Sequence, residues 1–172
     1  PPPSLGSRRT MTLPPGDPVE DIRGEVMVLF HYQDVPVPRH TLGKVDWYLG
    51  GAVSRLTVDG KFTGGLGSAA LFHPSGKFQV EKILVLGLGA RAGVNASALQ
   101  SAARHLQSLL HDLHARDVRI VVPDSPDTRA QEVIDLFSAA LRTSGEQSAA
   151  SPNITFLPNA DEGRPESCRR AR

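Results

Sequence analysis

Residues 82–93 read Lys-Ile-Leu-Val-Leu-Gly-Leu-Gly-Ala-Arg-Ala-Gly, and an amphipathic helical pattern follows from about Ala96. An apolar, β-branched run that stops at glycines and yields to a helix is a buried strand entering a tight turn. Alternating α/β sheets place their ligands at such strand ends. Two readings of this turn compete: a G-x-G-x-x-A dinucleotide loop, or a strand end that serves packing alone. The spacing bears against the cofactor. In a dinucleotide loop the glycines themselves open the helix and aim its N–H groups at a pyrophosphate, with a ribose-binding acid about 20 residues on. Here the helix opens several residues after Ala92. Asp112 and Asp117 lie in or just after it, and Asp124, at the end of the next strand, is too distant in sequence. No cofactor is expected.

The elements around this turn alternate. Val26 to Tyr32 is a nearly continuous apolar strand, as in a sheet covered on both faces. A helix is expected from about Gly43 to Leu56, with Val45, Leu49, Ala52, Val53 and Leu56 inward and Gly50-Gly51 inside it, their small size admitting a close neighbour. Short strands are expected at 69–73 and 78–80 around Pro74-Ser75-Gly76, and another at 83–86. The longest helix spans about Ala96 to His114, capped by Asn95 or Ser97. A strand over 118–122 follows, then a helix opened by Ser125-Pro126 and ending near Gly145, a linker over 146–152 and a last strand over 154–157. This order predicts a three-layer α/β/α domain over 23–158, with a mixed, mostly parallel sheet. Residues 1–22, rich in proline and glycine, are expected to be a disordered leader, and 159–172 a polar, arginine-rich tail.

Several pieces in this order resemble the N-terminal domain of the leucyl (cytosol) aminopeptidases, a two-metal exopeptidase family. They are Asp46 with Leu49-Gly50-Gly51-Ala52-Val53-Ser54-Arg55-Leu56, Gly60-Lys61-Phe62-Thr63-Gly64, the run Lys82 to Gly89, and the alanine-rich helix from Ala96. The resemblance covers roughly residues 25–157 and implies a macro-domain-like fold. In the complete enzymes this domain is not the catalytic one. It helps to assemble the hexamer and, in some bacterial members, takes part in DNA binding. The metal-binding catalytic domain would follow it, yet the sequence ends soon after Leu157. Asn159-Ala160-Asp161-Glu162-Gly163-Arg164 is similar to the family's metal motif but one residue short and without the other ligands, so no metal site is expected.

The functional expectation is therefore a stand-alone, non-catalytic homologue of that domain, acting by self-association or by binding a protein partner. A nucleotide or ADP-ribose module is the alternative, with ligand-binding candidates Gly87, Gly89, Ala90, Arg91 and Asn95 at the turn and Asp34 after the first strand. A third reading, nucleic-acid binding, would use Arg8, Arg9, Arg164, Arg169, Arg170 and Arg172. The tail also carries Asp161, Glu162 and Glu166 and no aromatic for base stacking, which disfavours it, as does a net charge of +1. His111 and His114 read as the solvated end of a helix rather than as metal ligands. Cys168, the one cysteine, has no activating base nearby in sequence, and a lone cysteine fits a reducing compartment. With no secretory h-region and no run approaching a membrane span, the protein reads as cytoplasmic.

Overall fold

The structure is a computed structural model that describes residues 19–142 and 151–159. The expected tail apart from Asn159, with Cys168 and the terminal arginines, most of the leader, most of the 146–152 linker and the expected helix end near Gly145 lie outside these residues. The organising element is the strand β1 (Arg23–His31), which lies at the centre of a five-stranded sheet. It pairs in parallel with β3 (Gln79–Gly87) on one side and with β4 (Asp117–Val121) on the other. Beyond β4 lies β5 (Asn153–Leu157), also parallel. At the opposite edge β2 (Ala69–Phe72) runs antiparallel to β3. The sheet order β2-β3-β1-β4-β5 is the mixed, mostly parallel arrangement expected from the alternating pattern.

Helices cover both faces, and side-chain alternation along the strands decides which residue meets which layer. Met27 and Leu29 of β1 and Ile83 and Val85 of β3 pack with Leu42 and Val45 of α1 (His40–Tyr48) and Val53 of α2 (Ala52–Val58). Val26, Val28, Leu84 and Leu86 point the other way, onto α3 (Ala96–Asp112) and α4 (Ala130–Arg142). Most of the stability of a helix such as α3 comes from tertiary packing rather than from propensity. Burial of its stripe Leu99, Ala102, Ala103, Leu106 and Leu110 holds it in place, at about 1.5–3 kcal/mol for each leucine. The Asn95 side chain caps it, accepting a hydrogen bond from the Ala98 N–H at 2.9 Å.

Four elements differ from the sequence expectation. The helix expected over 43–56 is two helices, because Gly50 and Gly51 both adopt left-handed φ (65° and 76°) and end α1 before α2 begins. Gly50 has open space where a Cβ would stand, so its conformation rather than a close neighbour requires glycine. The buried Asp46 then bridges the break: its Oδ1 accepts the Val53 N–H at 2.8 Å and its Oδ2 the Ser54 hydroxyl at 2.5 Å. The strands expected at 78–80 and 83–86 are one, β3, since the polar pair Glu81-Lys82 continues the pleat at the sheet's end. The last helix starts at Ala130 rather than at Ser125-Pro126. The segment before it is tied to the strand ends through Asp124, and the Ser125 hydroxyl is buried without a partner instead of capping. Val19 and Ile22, expected in the leader, are buried in the α1–α2 layer of the core.

Candidate functional site at the strand ends

The chain leaves β1 toward one face of the sheet and leaves β3 and β4 toward the other, which opens a crevice at their carboxyl ends. The Gly87-Leu88-Gly89 turn forms one side of it, and its geometry answers the question its sequence raises. The Gly87 N–H donates to the Ser68 carbonyl at 2.9 Å, the Leu88 N–H to His31 at 3.0 Å and the Gly89 N–H to Gly64 at 3.0 Å. A Cβ on Gly87 would stand 2.1 Å from the Gly65 carbonyl oxygen and 2.3 Å from Ser68 Oγ. Gly87 is thus a glycine because the 64–68 loop crosses directly over it. Gly89 has a left-handed φ of 79°, which favours glycine there whatever the space around it. All three of these N–H groups donate within the fold.

The structure does unite two of the other candidates. The Arg91 N–H donates to Asp34 Oδ1 at 2.8 Å, joining the loop after β1 to the loop after β3. Ala90 leads into a single 3-10 turn, Arg91–Gly93, and Asn95 turns away to cap α3. Asp124, too far in sequence for a ribose acid, comes back in space: Arg91 Nη2 lies 2.6 Å from its Oδ2, and the Tyr32 hydroxyl donates to its backbone carbonyl. Arg91 therefore clasps all three loops.

Beneath this clasp lies a cleft of about 70 Å³. Its inner wall is buried: Leu29, His31, Leu42 and Val121 are each no more than 4% exposed. Its rim is polar, with Arg39 and His40 at the start of α1, the Arg91–Asp124 pair, and Asn159, whose side-chain oxygen accepts the Thr41 N–H at 3.2 Å. Burial pushes the Tyr32 phenol up to about 12, with the Asp124 carboxylate adding to the shift. Burial lowers the His31 pKa, and the Asp46 charge opposes that only in part. His31 Nε2 is buried with no hydrogen-bond partner, an uncommon and costly state for a ring nitrogen. Sequence reasoning gave His31, Tyr32 and Arg39 no role. The one signal was a histidine closing an otherwise apolar central strand. Elsewhere, the His111 and His114 rings stack at 6.5 Å, and among the described residues no three His, Cys, Asp or Glu side chains converge as metal ligands. Among those residues no helix is long and apolar enough to cross a membrane.

The family model described as the cytosol aminopeptidase family, N-terminal domain, matches residues 26–149. A probable cytosol aminopeptidase of Geobacter sp. (strain M21) is 35% identical over 78 residues, a match covering 45% of this chain and 16% of that relative's length. Among solved structures, the macrodomain of Mycobacterium tuberculosis DarG aligns with a TM-score of 0.67 at 13% identity, covering 87% of this chain and 97% of that one. The Trypanosoma brucei macrodomain in complex with ADP aligns with a TM-score of 0.64 at 14% identity, covering 84% and 61%. At these identities the structural likeness speaks for the fold alone, and the fold is macro-domain-like.

Proposed function

The chain belongs to the cytosol aminopeptidase family through its N-terminal domain, and from that premise we propose that it is a non-catalytic module working by association, with copies of itself or with a protein partner. The observation that carries this reading is Trp47. It is 75% exposed on α1, and Val58 on α2 is 84% exposed in the same layer. An exposed tryptophan is an amphipathic anchor of the kind enriched at protein interfaces. Trp47 is also the one tryptophan in the sequence, so its fluorescence reports directly on that surface. Light scattering across a concentration series is expected to give a mass above the monomer, or a stable complex with a partner, together with a blue-shifted Trp47 emission. Trp47→Ser is expected to abolish the association, read by light scattering, without loss of folding. A monomer with unshifted emission at all concentrations and in cell extract refutes association through this face. Cleavage of a leucyl-anilide by the purified chain with Mn²⁺ or Zn²⁺ refutes the non-catalytic half.

A second reading, a nucleotide pocket, is supported by the resemblance of the fold to a macrodomain that binds ADP. A cleft of about 70 Å³ is several-fold smaller than the roughly 300–1,000 Å³ of typical ligand pockets, and the N–H groups of the glycine turn are committed elsewhere. Nucleotide entry would require the Arg91–Asp124 clasp to part. Stabilisation of the protein by millimolar ADP in a thermal-shift assay is the result that would promote this reading over the first.

A further inference from the structure

The sheet has two outer edges, and they are finished differently. β5 is bracketed by Pro152 and Pro158, and proline is one of the residues that blunt an edge against pairing. β2 has no such guard. Between Lys61 and Lys77 the sequence holds no Asp, Glu, Lys or Arg, and from Phe62 to His73 no proline. Two exposed large apolar side chains fall in this run, Leu66 at 49% and Leu71 at 40%. The free groups on the edge follow from the ladder. The Gly87 N–H donates to the Ser68 carbonyl, which makes these two a hydrogen-bonded pair, and such pairs alternate along antiparallel strands. In the register Ala69↔Leu86 to Phe72↔Ile83, Ala70 and Phe72 therefore turn their N–H and C=O groups to β3. Ala69 and Leu71 turn theirs outward, and no loop backbone among the described residues bonds to them. Their side chains share the face of Leu84 and Leu86, where the α3 layer leaves Leu71 open.

We propose that β2 is a self-pairing edge: a second copy of the chain adds its own β2 antiparallel to the first, across a two-fold axis, and the two sheets become one. The free groups are complementary to themselves. With Ala70 facing the same residue of the second copy, Ala69 of each copy stands opposite Leu71 of the other. Every outward N–H and C=O of Ala69 and Leu71 then finds a partner. Ala70 falls on the axis at a non-hydrogen-bonded pair, where Cα atoms lie about 4.5 Å apart and small side chains fit. Sliding the copy by two residues sets Leu71 against Gly67 or Ala69 against His73, both outside β2. A slip of one sets Leu71 against a side chain of the opposite face. An isologous edge meets its own charge, and like charges directly opposite repel; β2 carries none. Leu71 comes to lie beside Ala69 of the copy and leaves water. The proposal takes from the association reading only the premise that copies of the chain meet, and it uses no residue of the Trp47 surface.

The test traps the pairing as a disulfide in the full chain carrying Cys168→Ser and Ala70→Cys, oxidised with copper phenanthroline and read on a non-reducing gel. A disulfide needs Cα atoms about 4.4–6.8 Å apart, which the Ala70 pair satisfies. The two copies of Ala69 stand two residues out of step, about 8 Å apart, so Ala69→Cys in the same background is the control. The covalent dimer is expected to form about ten-fold faster from Ala70→Cys than from Ala69→Cys. Leu71→Lys adds an edge charge, and Leu71→Pro removes an outward N–H that the β2–β3 ladder does not use. Each is expected to slow the Ala70→Cys dimer about ten-fold at unchanged far-ultraviolet circular dichroism. Trp47→Ser is expected to leave that rate as it is. The proposal is overturned if Ala70→Cys crosslinks no faster than Ala69→Cys, if the folded Leu71 variants crosslink undiminished, or if Trp47→Ser abolishes the dimer. Crosslinking at Ala70 with an unshifted Trp47 emission upholds the β2 edge and refutes the Trp47 face. A shifted emission without that crosslink does the reverse.

Discussion

Gly87→Ala is the substitution whose cost the structure specifies most closely. The added methyl would stand 2.1 Å from the Gly65 carbonyl oxygen, 2.3 Å from Ser68 Oγ and 2.5 Å from the Gly64 carbonyl carbon. Two of those atoms are backbone, so no rotamer change relieves the contact and the 64–68 loop must move away. Its displacement breaks the Gly87–Ser68 and Gly89–Gly64 hydrogen bonds. Overpacking alone costs about 1–3 kcal/mol, and each lost backbone bond about 0.5–1.5 kcal/mol. The combined expectation is about 3–5 kcal/mol, a large share of the roughly 5–15 kcal/mol by which a domain is stable. With a urea slope of about 2 kcal/mol/M, the unfolding midpoint followed by far-ultraviolet circular dichroism falls by about 2 M. Two controls separate the clash from glycine's other roles. Gly60 has a φ of 69° but open space around it, so Gly60→Ala should cost only the left-handed strain of about 1–2 kcal/mol. Gly93 has open space and no such φ, so Gly93→Ala should stay within about 0.5 kcal/mol. If Gly87→Ala unfolds no earlier than Gly93→Ala, the crossing of the loop over the turn is wrong, and so is the account of why this turn is not a phosphate cradle.

Asp46→Ala removes the acceptor that joins α1 to the start of α2 and is expected to cost about 1–3 kcal/mol, read as a lower urea midpoint. The His31 pKa is lowered in the folded state, so the unfolded chain binds the proton more readily. Stability should therefore be full above the ordinary histidine value of 6.5 and fall as pH drops through 6.5 toward the folded pKa, and His31→Phe should flatten that slope in pH-dependent urea titrations. Tyr32 is pushed up to about 12, and the Tyr48 phenol is also raised, through its hydrogen bond to Glu20. These are the two tyrosines of the chain, so ultraviolet titration of the native protein should show no phenolate step at the ordinary tyrosine value of 10. For Tyr32 the folded state holds its proton longer than the unfolded one, so the stability this adds is lost as pH rises from 10 through about 12.

Much of the layered architecture was legible because its signals are repetitive. Leu99, Ala102, Ala103, Leu106 and Leu110 recur at helical spacing, and Val26 to Phe30 form an apolar run that only a doubly covered strand explains. Interruptions were harder, because composition alone does not give a dihedral. Gly50-Gly51 reads equally well as a close-packing face or as a break, and the left-handed φ decides. Ser125-Pro126 is a sound helix start by local chemistry, but a long-range tie through Asp124 overrides it. The candidate site was partly legible. The candidates Asp34 and Arg91 meet in space, Gly87 lies under the 64–68 loop and the Asn95 side chain caps α3. Asp124 was set aside for its distance in sequence, a measure that loses its meaning once two parallel strands bring their ends together. His31 was missed because an orphaned nitrogen is a property of surroundings, not of a residue type.

The central strand precedes both of its neighbours, β3 and β4, in sequence, and that placement orders events during synthesis. Val26 pairs with Lys82 on one edge and with Val118 on the other, so β1 leaves the ribosome with neither neighbour made. The first sheet contact that can close is between β2 and β3, antiparallel and near in sequence. Until β4 emerges, Met27, Val28 and Leu29, buried to within 1% in the finished domain, have one unpaired edge. Parallel pairing across such separations is slow and exposes a sticky intermediate. Chains stalled or truncated before Val121 should therefore be the ones that chaperones hold and that aggregate first.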